Sequence, residues 1–428
     1  MGLGIASMSL ISKCQNTYTG KRPNIIFAIA DDMSWVHAGI MGCKEVNTPH
    51  FDWLAENGVL FENAYCSAPS CAPSRASVLT GRNGWELEQG AVLWGYLPSK
   101  YRTYPDILEE NGYHVGYTGK SWGPGDLKDA GRERNPAGIE YNQIRNRPWR
   151  EFGNATEIWD VDYAENFKVF LKENKDHKPF CFWVGALEPH RWYAEGIGKR
   201  MGKNPDNVKV PEFLPDTPEV RSDILDYLAE IDWYDIQMGR ILDVLREKGE
   251  LENTLVVMTS DNGMPFPRAK ANLYEYGTHM PLAVYWGDQM EGGRKVKDFI
   301  SFKDFAPTFL EAAGVPVPQN MSGKSFIPQL LSDKSGQIDP KRNVVHTYKE
   351  RHAWSYPQGD ICPMRSIRKE NMLLIWNARP EMWPAGHELP EYNWDMMPFG
   401  DVDEGPSYLN VLSMKYDVSN QKYYNLAF

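Results

Sequence analysis

Three short apolar runs, each ending in side chains that bind cations or move protons, constrain this chain more than any other feature. From Asn24 to Ala30 the sequence is almost continuously apolar and is followed by Asp31-Asp32. Leu255 to Ser260 is followed by Asp261-Asn262-Gly263, and Phe180 to Gly185 leads into Glu188-Pro189-His190. Runs without polar alternation suit strands buried on both faces, as in a parallel sheet covered by helices. Segments with apolar residues at helical spacing alternate with them, at 51–57, 104–111, 162–174 and 224–247, with Gly112 and Gly249 placed to close two of these helices. The expected fold class is therefore α/β, a large mixed, mostly parallel sheet flanked by helices. Ligands of such sheets bind beyond the carboxyl ends of the strands, so the residues that terminate the three runs are candidates for one site.

Past Gly314-Val-Pro-Val-Pro318 the texture changes. From about residue 340 onward the chain is rich in Tyr, Trp and Pro, with one strand expected at Met372 to Trp376 and no closing element expected at 421–428. The division expected is a leader or disordered segment at 1–20, a catalytic domain at 21–338, and a smaller α+β subdomain at 339–428. The first twelve residues have the apolar and small-residue character of an export leader, and Cys14 behind them suits a lipid anchor, although Lys13 departs from that pattern. An exported, periplasmic or secreted location is expected.

Composition excludes several classes. Lys+Arg 46 against Asp+Glu 57 gives a net charge of −11, which argues against a nucleic-acid coat and requires any anionic substrate to meet a local basic pocket. Six cysteines with no Cys-x-x-Cys pair argue against a disulfide scaffold or structural zinc. No apolar stretch is long enough to span a membrane. Aromatic residues make up 13%, a mild pointer to flat ligands such as sugar rings.

The densest chemical signal is Cys71-Ala-Pro-Ser-Arg75, continued by Ala76-Ser-Val-Leu-Thr-Gly-Arg82. Pro73 suits a first helical turn and Gly81 a left-handed cap, which places Cys71 at the positive end of a helix dipole with Arg75 one turn on. A nucleophile, a helix start and a guanidinium would share one anion site.

This motif resembles the signature of the type I sulfatases. The resemblance extends in order from Arg22 to about residue 330, through Asp31-Asp32, Asn47 to Cys66, Gly119-Lys120, Thr259 to Gly263 and Asp304 to Gly314. Within the family it is strongest toward the heparan N-sulfatase (sulfamidase) branch, on Asp261 to Tyr274, Gly277-Thr278 and His190-Arg191. The resemblance implies an alkaline-phosphatase-like sulfatase fold. It also implies hydrolysis of a sulfated glycan, with N-sulfoglucosamine of heparan sulfate the favoured substrate. The nucleophile implied is a formylglycine hydrate derived from Cys71 by a formylglycine-generating or anaerobic sulfatase-maturating enzyme. Arg75, Lys120, His190 and Lys270 join it as catalytic residues, with Arg268 competing for the place of Lys270. One Ca²⁺ would be held by Asp31, Asp32, Asp261 and Asn262, an all-oxygen set suited to a hard cation. A phosphoester or phosphonate hydrolase, an O-sulfatase, and a sulfoglycan-binding protein without turnover stand as alternatives. One departure is plain: the family's histidine two residues after the Gly-Lys lysine is Trp122 here. Trp122 and Arg191 are expected to rim the sugar pocket.

Overall fold

The computed structural model describes residues 21–146 and 157–428. The leader and lipid-anchor readings for residues 1–20 lie outside the described residues. Eight strands form the main sheet: β1 (Asn24–Ala30), β2 (Val59–Phe61), β3 (His114–Gly119), β4 (Ile139–Glu140), β5 (Phe180–Gly185), β6 (Thr254–Ser260), β7 (Leu282–Tyr285) and β8 (Arg294–Val296). Their spatial order is β8-β2-β7-β6-β1-β5-β3-β4, and only β7 runs antiparallel to its neighbours. The expected α/β class and mostly parallel sheet are what the chain forms. The apolar runs read from the sequence are β1, β5 and β6, the centre of that sheet. Strands β2, β3 and β7 carried no such signal, because they are short or interrupted by Gly and Tyr.

Register turns this topology into a site. Ala30 lies beside Ser260, Ile29 beside Gly185, and Gly119 beside Gly185. Four adjacent parallel strands thus end level with one another, and the residues that follow them, Asp31, Asp261, Lys120 and the 186–190 segment, emerge together.

Alternation along β1 divides the core in two. Ile26, Ala28 and Ala30 face the layer built on the long helix α5 (Pro218–Glu247), while Ile25, Phe27 and Ile29 face α6 (Phe305–Ala312), where Phe27 meets Phe309 at 5.5 Å between ring centroids. Helices α1 (Pro49–Asn57), α2 (Cys71–Thr80), α3 (Tyr104–Glu110) and α4 (Tyr163–Glu173) complete the flanks. Helix α5 begins six residues before the apolar periodicity does. Thr217 caps it by accepting from Val220 N–H, and Pro218 occupies its first turn, a start signal that apolar spacing alone misses.

The C-terminal residues form a three-stranded antiparallel sheet of β9 (Val344–Lys349), β10 (Met364–Lys369) and β11 (Met372–Asn377), followed by α7 (Pro406–Ser413) and α8 (Gln421–Ala427). The segment expected to lack a closing element is therefore helical. Its last residue, Phe428, stacks on Phe399 at 4.2 Å, and both lie in the core layer of α5.

Arg191 departs from its expected place at the pocket rim. It is buried, with Nη1 and Nη2 each 2.7 Å from an Asp223 carboxylate oxygen on α5 and Nε donating to the Pro265 carbonyl. Asp223 Oδ2 also accepts from Ser407 N–H at 3.1 Å, so the pair ties the segment after β5, helix α5 and the start of α7 together. Removing one partner leaves the other charge buried and uncompensated. Asp223→Ala should lower the free energy of unfolding by about 3–5 kcal/mol in urea titration; a loss below about 1 kcal/mol would show that the pair is not the fastener described.

Candidate active site

Helix α2 starts at Cys71 with Ser70 as its N-cap in extended conformation, and ends at Gly81, whose φ of +65° makes the left-handed cap. All ten of its residues are buried. Cys71 Sγ lies 3.1 Å from Asp31 Oδ1 and 4.0 Å from Asp32 Oδ1. One turn on, Arg75 sends Nε to Asp261 Oδ2 at 2.7 Å and Nη1 to the carbonyls of Lys120 and Ser121, so the guanidinium staples the ends of β6 and β3. Ser74 Oγ adds a 2.6 Å bond to the Asp261 carbonyl. Lys120 Nζ pairs with Asp31 Oδ2. Lys270 Nζ is 2.7 Å from Asp32 Oδ2, and His190 Nε2 is 3.8 Å from the same oxygen. His190 Nδ1 donates to the Arg191 carbonyl at 2.7 Å, which leaves Nε2 as the atom turned to the site. Asn262 Nδ2 donates to Asp32 Oδ1 at 2.6 Å.

All nine residues singled out in the sequence are thus brought into one cluster. Arg268, the competitor of Lys270, is not; it donates to the Leu426 carbonyl and lies over the Tyr274 ring. His37, His114 and His279 are also elsewhere, bonded to Tyr227, the Phe170 carbonyl and the Glu62 carbonyl.

The cluster opens into a cavity of about 660 Å³. Its wall includes Cys71, Lys120, His190 and Lys270, the indoles of Trp94, Trp122, Trp159 and Trp394, and Asn142, Glu140 and Arg145. Trp122 is therefore on the pocket wall, as expected from the sequence. The C-terminal part of the chain contributes His352, Trp394 and Asp403, none of which the sequence reading identified. They sit in loops without a motif, and only the fold brings them here. His352 is buried, its Nδ1 2.8 Å from Ser70 Oγ, and burial pushes its imidazole down to about 4, so the ring is neutral.

Comparison with known proteins agrees with this geometry. The family description "Sulfatase" matches residues 23–315, and "N-sulphoglucosamine sulphohydrolase, C-terminal" matches 268–393. The chain belongs to the sulfatase family. It is 30% identical over 398 residues to human N-sulphoglucosamine sulphohydrolase, covering 84% of this chain and 74% of that protein. An N-acetylglucosamine-6-O-sulfatase of Bacteroides thetaiotaomicron is 27% identical, covering 81% and 78% of the two chains. A solved structure of a protein in complex with its substrate, D-glucosamine-2-N,6-O-disulfate, shares the fold with a TM-score of 0.64 at 20% identity, covering 95% of this chain and 99% of that one. Asp403 lies past both matched segments, whereas His352 falls within the second.

Members of this family use a metal ion, and the residues here fit one. Asp31, Asp32, Asp261 and Cys71 offer ligand atoms that all lie within 4.8 Å of one another. Burial pushes the Asp261 carboxyl up to about 7, with Asp31 adding repulsion, and burial pushes Asp32 up to about 7 against the pull of Lys270. Burial acts on Asp31 as well, but Lys120, His190 and Arg75 outweigh it and hold that carboxyl well below the usual range. The protein's own cations thus leave two of three carboxyls under-neutralised. Asn262, whose Nδ2 is bonded to Asp32, keeps a buried Oδ1 with no hydrogen-bond partner among the described residues, an acceptor left over next to the carboxylates. Oxygen donors of this kind suit Ca²⁺ or Mg²⁺ rather than zinc. Saturating Ca²⁺ added to chelator-treated protein should raise Tm by about 5 °C, and Asp32→Ala should abolish the shift; an unchanged Tm in the unmutated protein would contradict the assignment.

Proposed function

We propose that this sulfatase-family chain hydrolyses the sulfo group of a sulfated amino sugar, with N-sulfoglucosamine of heparan sulfate the favoured substrate and Cys71 the source of the nucleophile. The observation that carries the reading is the convergence of Cys71, Lys120, His190 and Lys270 on a cavity walled by four indoles, with Arg75 bonded to Asp261 and the Lys120 backbone behind them. The similarity to a human N-sulphoglucosamine sulphohydrolase supports the choice of sugar.

The hydrated aldehyde derived from Cys71 supplies an attacking hydroxyl, and a divalent cation, Ca²⁺ by its donor set, supplies Lewis acidity. The chain's own residues do the rest. Lys120 and Lys270, each with Nζ at a buried carboxylate, are placed to hold two sulfo oxygens and offset the charge that moves as the S–N bond breaks. Arg75 fixes Asp261 and the backbone that carries Lys120, so it sets their spacing. His190 presents Nε2 to the site and, when protonated, delivers a proton to the departing nitrogen. The post held by a histidine elsewhere in the family is Trp122 here. The neutral His352, on the cavity wall and bonded to Ser70 next to Cys71, is the imidazole available in place of the missing one.

Cys71 is 2% exposed, so a maturating enzyme must meet the Cys71–Arg75 segment before folding closes over it. The N-terminal leader pattern supports export. No helix among the described residues is long and apolar enough to cross a membrane.

The test is turnover of N-sulfoglucosamine, 6-O-sulfated N-acetylglucosamine and p-nitrophenyl phosphate by purified protein. The reading expects kcat/KM for the N-sulfo sugar to exceed that for the 6-O-sulfo sugar by about tenfold or more, ~1.4 kcal/mol, with Cys71→Ala inactive on all. Preference for the 6-O-sulfo sugar would move the substrate within the family, and preference for the phosphate would overturn the reading.

A further inference from the structure

Two carboxylates stand on the wall of this pocket: Glu140, which accepts from Tyr117 Oη at 2.6 Å, and Asp403, which is set among the cations. Asp403 lies in the loop before α7 and lines the cavity with Cys71, Lys120, His190 and Lys270. Its Oδ2 is buried and pairs with Lys270 Nζ at 2.9 Å, while the side chain as a whole stays 23% exposed. Burial favours the neutral form, but Lys270 and His190 overcome it, so the group is an anion at neutral pH. With Oδ2 turned to Lys270, Oδ1 is the oxygen through which the exposed part of the carboxylate lines the cavity, and an ionised carboxylate oxygen offers about two lone-pair sites.

The loop is also built to hold that side chain still. On one side, Asp401 pairs with Lys349 at 2.8 Å and accepts from Ala353 N–H at 2.9 Å, both deep in the fold. On the other side, Ser407 N–H bonds to the buried Asp223 of the Arg191 pair. Three residues separate the first anchor from Gly405, whose Cα lies against the Arg191 guanidinium. Asp403 is therefore presented between two buried ion pairs, the arrangement expected of a recognition group whose position is pre-organised.

We infer that Asp403 is a specificity-determining residue that accepts a hydrogen bond from a ring hydroxyl of the sugar carrying the scissile sulfo group. This rests on the sulfated-sugar reading above. A second sulfo or carboxylate group at this place would face a fixed negative charge in a poorly solvated wall. A cationic group would compete with Lys270, already 2.9 Å away. A neutral O–H satisfies the open acceptor without either conflict, and the indoles of Trp122 and Trp394 on the same wall suit the faces of the ring that bears it. The sheet edge thus supplies the reacting groups, while the C-terminal part of the chain reads the sugar. A site that hydrogen-bonds a substrate hydroxyl rejects the analogue lacking it, because its own polar group is then left unpaired.

The experiment compares N-sulfoglucosamine with its 3-, 4- and 6-deoxy analogues on the full, metal-loaded enzyme and on Asp403→Ala and Asp403→Asn. The unmutated enzyme should reject at least one analogue by about ten- to a hundredfold in kcat/KM. Asp403→Ala should bring that ratio to within about twofold of unity, and Asp403→Asn, which keeps one carbonyl acceptor, should retain part of it. If Asp403 only positions Lys270, both variants will lose activity on every sugar by one common factor and the rejection ratio will stand, which would overturn the inference. No rejection of any analogue by the unmutated enzyme would overturn it too. Turnover of p-nitrophenyl sulfate with none of any sulfated sugar would overturn the sulfated-sugar reading itself and this inference with it.

Discussion

Three carboxylates, Asp31, Asp32 and Asp261, are buried at the ends of two neighbouring strands, and the cost of keeping them there organises this half of the molecule. Each costs several kcal/mol of lost hydration unless it is paired. The register of β1 against β6 leaves them no room to separate, since Ala30 and Ser260 are paired partners. Every nearby cation answers to one of them: Arg75 to Asp261, Lys120 to Asp31, Lys270 to Asp32. Asp32 even adopts a left-handed backbone, φ +76°, with its N–H bonded to Asp261 Oδ1 at 3.1 Å. A non-glycine residue held there marks a place where the surrounding structure over-determines local geometry, as functional sites do. The helix that carries Cys71 is fastened to the same group through Arg75 and Ser74, so Cys71 and the three carboxylates form one unit.

The C-terminal sheet and helices act on that unit from outside. Their anchors are again buried ion pairs, Lys349 with Asp401 and Arg191 with Asp223. Trp394 meets Trp94 edge to face at 5.1 Å, joining the two sides of the pocket mouth. The division of labour is physical: groups bound to strand ends are held tightly enough for chemistry, and loops locked onto them shape what enters.

The central strands and the site cluster were legible in the sequence because they are written locally. β1, β5 and β6 are uninterrupted apolar runs, and each of their polar ends belongs to a short motif. The Cys71–Gly81 helix announces its start with Pro73 and its end with a glycine that takes φ +65°. What stayed hidden depends on contacts across long sequence separations. Arg191 reads as a pocket arginine beside His190, yet Asp223 and Ser407, distant in the chain, draw it into the interior. Asp403 and His352 lie in loops whose local sequence carries no chemical pattern, and only the packing of 401–407 against α5 and β9 turns them toward the cavity. Helix α8 was missed for a similar reason, since its stability comes from Tyr424 and Phe428 entering a core supplied by α5 and Phe399.

The account stands on Cys71 acting as a carbonyl-derived nucleophile rather than as a thiol. Burial and the neighbouring Asp31 push the Cys71 thiol well above its ordinary range, which makes an unconverted cysteine a poor nucleophile at neutral pH. Peptide mass spectrometry of preparations made with and without a sulfatase-maturating enzyme, paired with their specific activities, tests this most directly. The account predicts that the peptide containing Cys71 carries an aldehyde in proportion to activity across preparations. Full activity in protein whose Cys71 is recovered entirely as thiol would contradict it.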